Sequence, residues 1–542
     1  MKAINFFNKN IFIFFFIIYF LIGFQIVADY GISTDEEFQR FNGFYWLCYI
    51  LDFLPFDNLK FIASQKLEAI KGPTLPNPAD WPFYGVIFDL PLALLETLLN
   101  INTSYDYFLL RHKANFLIFF LSSIFFYKIL KIRFVNRVII FLGVLLYISS
   151  PRIFGDSFYN NKDLIFLSLV TISFYYYFNF IKYNNFKNLF LFSLTSALAS
   201  TLRIIGIFLP FSFLLFLIIQ KDSNKNKLSF FFLYLIIFIF FLIIFWPYLW
   251  SDPFSNLIES ITVFSNFKLL SMKILFNGEY FFSHFLPMSY LPTWILITTP
   301  IITLILFFIG YLFVLKRFFF RTLSIKIDSI FNDFWRSKNE QYDLFIFINF
   351  SLIFFYIVLT SPILYTGWRH LYFLHPMMIY LSCITLLLVN KKKYEKIFFI
   401  IIFLTTFFNF YEIKKFHPFQ SLYFNQLVKD AKKKDFEIDY WGLAGVKFLN
   451  EIINLDGGRN KINISVASYV PLHRSLKLLN EKKQNKIRII GQDYQNSDYI
   501  FHNNISEVNN LHDKKYSIPS NFEKIGNFTI NRFIVYEIFK RK

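Results

Sequence analysis

Along the chain, near-continuous runs of Phe, Ile and Leu alternate with short polar breaks. IFIFFFIIYFLIGF begins at Ile11 and FFFLYLIIFIFFLIIFW at Phe230. About 20 apolar residues in a helix match the hydrocarbon core of a bilayer, and the helix is the form that satisfies every backbone group there. Runs at 11–28, 114–130, 138–150, 163–181, 188–202, 204–220, 228–247, 291–315, 344–360, 371–389 and 397–411 predict about eleven spanning helices. The first run outlasts the about 7–15 residues of a signal-peptide core, and IVAD offers no small-x-small cleavage site, so it is read as a retained helix.

The polar breaks are of two kinds. Lys128, Lys131, Arg133 and Arg137 fall in the second connection, Lys182 and Lys187 in the fourth, and Lys221, Lys225 and Lys227 in the sixth. Lys316, Arg317, Arg321 and Lys326 follow in the eighth, and Lys391, Lys392, Lys393 and Lys396 in the tenth. Every even-numbered connection is basic, so the positive-inside rule predicts a cytoplasmic N-terminus and outward odd-numbered connections. After Glu412 the pattern changes: KINISVASYV, KIRIIGQD, DYIFHN and FTINRFIVYEIF read as strands, with helices around Val446 to Leu455 and Leu472 to Leu479. The expectation is an α-helical polytopic membrane domain over 1–411, with a long first outer loop at 29–113. A small extracytoplasmic α/β domain follows over 412–542.

Composition supports a lipid solvent, because 56% of the residues are hydrophobic against about 45–50% in soluble domains. The net charge of +19 raises nucleic acid as a partner. Its clusters sit beside helix ends, where anionic membrane lipids account for them, so no nucleic-acid partner is expected. Two cysteines, Cys48 and Cys383, make no disulfide framework. No internal repeat, Gly-rich phosphate loop or zinc-type spacing is present.

The candidate chemistry lies in the odd-numbered connections. In DYGISTDEEFQRF, Ser33 or Thr34 followed by Glu36 or Glu37 is a capping-box signal, which starts a helix with Asp35 and Glu36 in its first turn. Phe38, Phe41, Tyr45 and Cys48 then recur at helical spacing, as in an amphipathic helix on the membrane surface. Taken alone, the two carboxylates would only complement the helix dipole, an effect of about 0.3–1 kcal/mol. SPRIFGDSFYNNKDLIF adds Arg152, Asp156, Lys162 and Asp163, LASTLRIIGIF adds Arg203, and SPILYTGWRHLYFLHP adds Arg369, His370 and His375. A single Arg near a helix end is explained by snorkelling. Carboxylates and arginines from several connections converging on one side are not, and ionisable groups at that depth line cavities and pathways. Arg forks clamp phosphate oxygens while a carboxylate takes a proton from a hydroxyl, which suits a phosphate-bearing lipid substrate.

The ordered set of a DE pair after the first span, SPRIFGDSFYNNKD, TLRIIG, YTGWRHLYFLHP and HPFQSLYFNQL with DYWGLAG resembles the polytopic GT-C glycosyltransferases. It is similar to the protein O-mannosyltransferase-like and lipid A aminoarabinose transferase-like enzymes of the family 39 kind. The resemblance implies a GT-C fold and a sugar donor linked to polyprenyl phosphate. It implies transfer to a lipid, glycan or protein acceptor at the outer face of the inner (plasma) membrane. Asp35 then matches the essential acidic residue as general base, with Glu36 beside it and Asp163 closing the next outer loop. Arg203, Arg369 and His370 fall on the donor-phosphate side. Some relatives use a divalent metal, for which Asp35, Glu36 and Asp163 offer hard oxygen ligands, but pairing with the arginines explains them equally well and no metal site is assigned. The C-terminal domain departs from the tails of these families; it is expected to orient the acceptor, with His417, Tyr440 and Trp441 packing it onto the membrane part. The alternative is a transporter or flippase, which also gathers charge at membrane depth but commonly shows repeated halves and a midplane site.

Overall fold

The computed structural model describes all residues except 1, 73–74, 221–226, 266–272, 324–333, 391, 457 and 504–515, so the expected cytoplasmic Lys221, Lys225, Lys326 and Lys391 lie outside the described residues. Helix α1 (Lys2–Ile26) leads into a compact polar hairpin of α2 (Glu36–Leu51), α3 (Asp57–Ile70) and α4 (Asp89–Leu98). The helical body follows as α5 (Ser104–Arg133), α6 (Arg137–Ile148), α7 (Pro151–Tyr159), α8 (Asp163–Tyr183), α9 (Phe186–Leu202), α10 (Phe208–Ile219) and α11 (Lys227–Ile244). Helix α12 (Pro253–Ser265) and the hairpin β1 (Lys273–Phe276) with β2 (Glu279–Phe282) precede α13 (Tyr290–Thr298), α14 (Ile301–Leu323), α15 (Lys338–Thr360), α16 (His375–Val389) and α17 (Glu395–Phe416).

Each apolar run falls in helix, yet the runs do not make eleven complete crossings. Among the described residues seven helices are long and apolar enough to span a bilayer, or eight with α6 and α7 as one span bent by 61°. The reasons are local. Pro151 starts a new helix after Ser149 and Ser150, which ends α6. Arg203 is extended (φ −140°, ψ 118°), which separates α9, of 17 residues, from α10, of 12. At 1.5 Å per residue these reach about 25 and about 18 Å, short of a core about 30 Å thick.

Helix α2 is a second difference. Its stripe of Phe38, Tyr45 and Cys48 is only half-buried, while Glu36, Gln39, Arg40 and Asn42 are sealed inside. The polar face is therefore internal and not solvated at a membrane surface. Arg40 forks onto Glu96 of α4 at 3.0 and 2.5 Å, and Gly43 lets the two helices touch, since a Cβ there would meet the Asp89 carbonyl at 2.6 Å.

The polar ends of the long helices gather in two places. At one, Asp343 of α15 receives Arg133 of α5 (2.7 Å), Arg317 of α14 (2.9 Å) and the Tyr380 hydroxyl (2.9 Å), and Lys338 reaches the Lys182 carbonyl (3.1 Å). At the other, the starts of α2, α8 and α16 meet. Between them lies aromatic packing such as Tyr177 on Phe345 at 4.1 Å. Apolar side chains such as Leu21, Ile236 and Phe407 remain exposed, as a lipid-facing surface requires.

Beyond α17 a strap leads to α18 (Gly445–Asp456) and a sheet built from β3 (Ile462–Ala467), β4 (Ile487–Ile489), β5 (Tyr499–His502), β6 (Phe522–Ile530) and β7 (Phe533–Arg541). The strand order is β4-β3-β5-β7-β6, with β3 parallel to β4 and β5, and β7 antiparallel to its neighbours. Asn531 and Arg532, both at positive φ, turn the last hairpin. Phe448 of α18 seats on Phe501 and Tyr536. Of the expected 472–479 helix only α19 (His473–Leu476) forms, followed by α20 (Glu481–Gln484).

Candidate active site

The acidic turn is fixed from both sides. Gly31 lies so close to the strap that a Cβ would meet the Leu443 carbonyl at 2.5 Å, and the Thr34 N–H donates to the Trp441 carbonyl at 3.0 Å. Half of the expected capping box forms: the Ser33 N–H donates to Glu36 at 2.6 Å, while the Ser33 hydroxyl turns to the Tyr159 carbonyl. Asp35 occupies the N-cap position of α2, yet its side chain makes no cap hydrogen bond. It instead accepts from Arg369 Nη1 at 2.9 Å, with 39% of the side chain exposed. Burial alone would raise the Asp35 carboxyl; the Arg369 guanidinium, with help from Lys162 and Arg474, overcomes this and holds it below its ordinary value. It is an anion at neutral pH.

Arg369 is the hub. It also reaches Asp163 at 3.5 Å, its Nε donates to the Thr366 hydroxyl at 2.5 Å, and its face is covered by Trp441 and Tyr365 at 4.6 and 5.0 Å. Thr366 and Gly367 both sit at positive φ (56° and 74°), the turn that aims Arg369 inward. Asp163, the first residue of α8, is buried; its other oxygen pairs with Arg203, and Asn160 donates to it at 3.2 Å. His370 stands edge-on to Tyr365 and its Nε2 is buried without a protein partner, as is Arg203 Nε. Arg203, His370, Tyr84 and Tyr365 line a cavity of about 160 Å³ whose remaining wall is apolar, including Leu202 and Ile357.

The structure thus brings Asp35, Asp163, Arg203, Arg369 and His370 together and sets Glu36 apart. Glu36 is 1% exposed and faces His112 at 2.8 Å. Arg152 donates to the Tyr423 carbonyl between Trp294 and Phe424, and His375 meets the Tyr147 carbonyl; both lock helices together. Asp156 bonds Tyr159 and Asn160. Among the described residues no group of three or more His, Cys, Asp or Glu is arranged for a metal. The guanidinium of Arg369 fills the place between Asp35 and Asp163 where a divalent ion would sit, so the residues as arranged do not fit one.

Lys162, one of the charges the sequence places in the third connection without assigning it a role, belongs to this cluster. It is buried, its ammonium lies 3.2 Å from the centre of the Tyr84 ring, and burial together with the nearby Arg203 pushes it well below an ordinary lysine. A further contributor comes from the strap: Trp441, expected from DYWGLAG to pack the C-terminal domain onto the membrane part, lies over the Arg369 guanidinium. The C-terminal domain also reaches the turn: Glu37 pairs with Arg474 (3.1 Å) and Lys477, and Arg474 donates to the Thr34 carbonyl.

The model of the dolichyl-phosphate-mannose-protein mannosyltransferase family matches residues 112–250, a segment that holds Lys162, Asp163 and Arg203 but neither Asp35 nor Arg369. Over that segment the chain is similar to these mannosyltransferases, and seven of its described helices are long and apolar enough to cross a membrane. No curated protein matches it in sequence. Among solved structures, ArnT from Cupriavidus metallidurans bound to undecaprenyl phosphate is 9% identical, with a TM-score of 0.48 over 98% of each chain. The oligosaccharyltransferase of Archaeoglobus fulgidus in its apo form is 10% identical, with a TM-score of 0.43 over 78% of this chain and 61% of that one. Likenesses at this level say nothing about substrate.

Proposed function

We propose that the enzyme transfers a sugar from a polyprenyl-phosphate donor to a hydroxyl-bearing lipid, glycan or protein acceptor at the outer face of the inner (plasma) membrane. The observation that carries this reading is the sharing of Arg369 between Asp35 and Asp163, with Arg203 on the second oxygen of Asp163, beside a cavity with apolar walls. The description of the matched family, which names a lipid-phosphate sugar as donor, supports it. Asp35 takes the proton of the acceptor hydroxyl, whose oxygen attacks the anomeric carbon. The bond from that carbon to the phosphate oxygen breaks, and the phosphate leaves with the electron pair toward Arg203, Arg369 and Lys162, inverting configuration in a direct displacement.

The resting ion pair has a place in this scheme. A phosphate arriving at Arg369 competes with Asp35 for the guanidinium, and the carboxylate gains basicity as it loses its counter-ion. A transporter reading has no comparable support, because the charges sit at helix starts and not at the middle of the spans. Incubating the reconstituted protein with a radiolabelled polyprenyl-phosphate sugar tests the proposal: release of polyprenyl phosphate is expected, and transport of intact donor without release overturns it. In the same scheme the N-terminus is cytoplasmic and 412–542 lies outside. A cysteine replacing the exposed Lys482 should therefore react with a membrane-impermeant thiol reagent before the inner membrane is lysed.

A further inference from the structure

A second concavity lies where the C-terminal domain meets the start of α5, and it shares no lining residue with the cavity beside Arg203. It holds about 450 Å³, within the about 300–1,000 Å³ common for ligand sites. Its walls come from both parts of the chain: Tyr105 in the first turn of α5, Asn450 on α18, and Asn480 and Lys483 around the start of α20, over a floor of Val446 and Leu478. The Ser104 hydroxyl donates to the Lys477 carbonyl at 2.5 Å, which fastens the start of α5 to the segment opposite. Short links tie this groove to the acidic turn. Leu478 packs against Ile32 and Phe108, and Lys477 before it pairs with Glu37. Arg474, at the other end of the same segment, donates to the Thr34 carbonyl. Asp35 follows Ile32 by three residues, at most about 11 Å of chain, so a ligand of a few linked rings spans the way from the groove to the Asp35 carboxylate.

The chemistry of the groove is one-sided. The Lys483 ammonium spends one N–H on the Asn450 side-chain carbonyl at 2.7 Å, and the Asn450 amide donates to the Val446 carbonyl at 3.1 Å. The Asn480 side-chain carbonyl accepts from the Lys483 backbone at 3.0 Å, while its amide N–H groups have no partner among the described residues. The Tyr105 hydroxyl has none either, and that residue is 42% exposed. The groups left over on these side chains are therefore donors. No carboxylate lines the groove: Asp106, next to Tyr105, accepts from the Thr103 hydroxyl at the helix cap. Two lining residues, Val446 and Lys483, have the exposed Lys447 and Lys482 beside them in the chain. Donors with a positive charge favour an anionic ligand rich in oxygens. A half-exposed tyrosine ring over an apolar floor favours one that also presents ring faces.

We propose that this groove is the acceptor subsite and that the acceptor is an anionic saccharide, a chain of sugar rings bearing carboxylate or phosphate groups. One charged group sits at Lys483 and Asn480, a ring lies on Tyr105, and the hydroxyl to be glycosylated reaches Asp35. This rests on the sugar-transfer reading above and names the acceptor which that reading leaves open.

Binding to the purified full-length protein tests this with a hexamer of galacturonic acid, a glucose hexamer carrying phosphate monoesters, the unmodified glucose hexamer and hexaglutamate. At least one anionic saccharide should bind about tenfold or more tightly than the neutral hexamer and hexaglutamate, the worth of one charge-assisted hydrogen bond. The tighter of the two tells carboxylate from phosphate. Lys483→Glu should abolish that preference, and Tyr105→Ala should weaken the anionic saccharides severalfold. Arg532→Glu makes the same change of net charge at a side chain 83% exposed and outside the groove, and it should bind as the wild type does. Equal affinity for anionic and neutral hexamers, hexaglutamate bound as tightly as the saccharides, or a Lys483→Glu protein that keeps the preference overturns the inference. Release of polyprenyl phosphate from a radiolabelled polyprenyl-phosphate sugar is followed alongside in the wild type. Release without any preference for anionic saccharides overturns this inference alone; no release with any probe overturns the donor reading, and the acceptor role of the groove with it.

Discussion

Two buried aspartates in this protein each sit between two arginines, at opposite ends of the bundle, and they teach different things. Asp343 receives Arg133 twice, Arg317 once and the Tyr380 hydroxyl, so both of its oxygens are saturated by groups from α5, α14 and α16. Asp163 also holds two arginines, but there Arg203 Nε and His370 Nε2 have no protein partner, Lys162 lies over the face of Tyr84, and a cavity adjoins them. The first network closes on itself and ties helices together. The second leaves donors unspent, which is costly unless a ligand takes them. Both networks are charged and buried, and what differs between these two is saturation.

The largest expected effect breaks the two ends apart. Asp35→Asn keeps size and shape but cannot take a proton, and turnover should fall about 10²–10⁴-fold with little change in melting temperature. Asp343→Asn should do the reverse: it leaves Arg133 and Arg317 facing a neutral amide, costs about 3–5 kcal/mol as an uncompensated buried charge, and leaves turnover per folded molecule near normal. Turnover and thermal melting of both purified variants decide the matter, and equal turnover losses would erase the contrast. The pH dependence sharpens it. Asp35 is held below its ordinary value by Arg369, so it is ionised at neutral pH, and its share of activity and stability is lost only as pH falls through that lowered value. An acid limb of kcat/KM above the ordinary carboxylate value of 3.8 would assign the base elsewhere.

Arginine-to-lysine changes give the next effect. Lysine retains charge and loses the planar fork. At Arg203 or Arg369 this should weaken polyprenyl phosphate binding about tenfold or more, the worth of one charge-assisted hydrogen bond. At Arg133 it should leave binding unchanged. Displacement of a labelled polyprenyl phosphate measures all three, and unchanged affinity in both site variants would end the phosphate-clamp assignment.

What the sequence made legible follows the same division. Asp35 stands out through the capping-box signal of DYGISTDEEF, and Asp163, Arg203 and Arg369 as ionisable groups between closely spaced apolar runs, where such a group needs a reason. The partnership of Glu36 with His112 was not legible, since it depends on how α2 packs against α5. The strap was legible only in part: Trp441 stands out in DYWGLAG as a packing residue, but its place over Arg369 depends on the folded path from α17 to α18. The Asp343 network was hidden because the basic residues around it already had a sufficient explanation in topology. The excess of expected spans has a physical cause too, since hydropathy does not see that Arg203 is extended or that Pro151 begins a new helix.

The smallest effect concerns the junction between the acidic turn and the C-terminal domain. Glu37 is 6% exposed and pairs with Arg474 and Lys477, which are 12% and 32% exposed. Burial would raise its carboxyl, but Lys477 and then Arg474 reverse this and hold it below the ordinary value, so its stabilisation is present above that value and lost as pH falls. Removing the charge by Glu37→Gln strands neither cation: Lys477 turns to water and Arg474 keeps the Thr34 carbonyl. The cost should therefore be about 1 kcal/mol, at the upper end for a partly exposed pair and far below that of Asp343→Asn. The turn itself stays fastened through the Thr34 to Trp441 backbone hydrogen bond, so kcat should fall by less than about tenfold. If Glu37→Gln lowers turnover as severely as Asp35→Asn while melting within a few degrees of the wild type, Glu37 belongs to the chemistry and the C-terminal domain is part of the catalytic site.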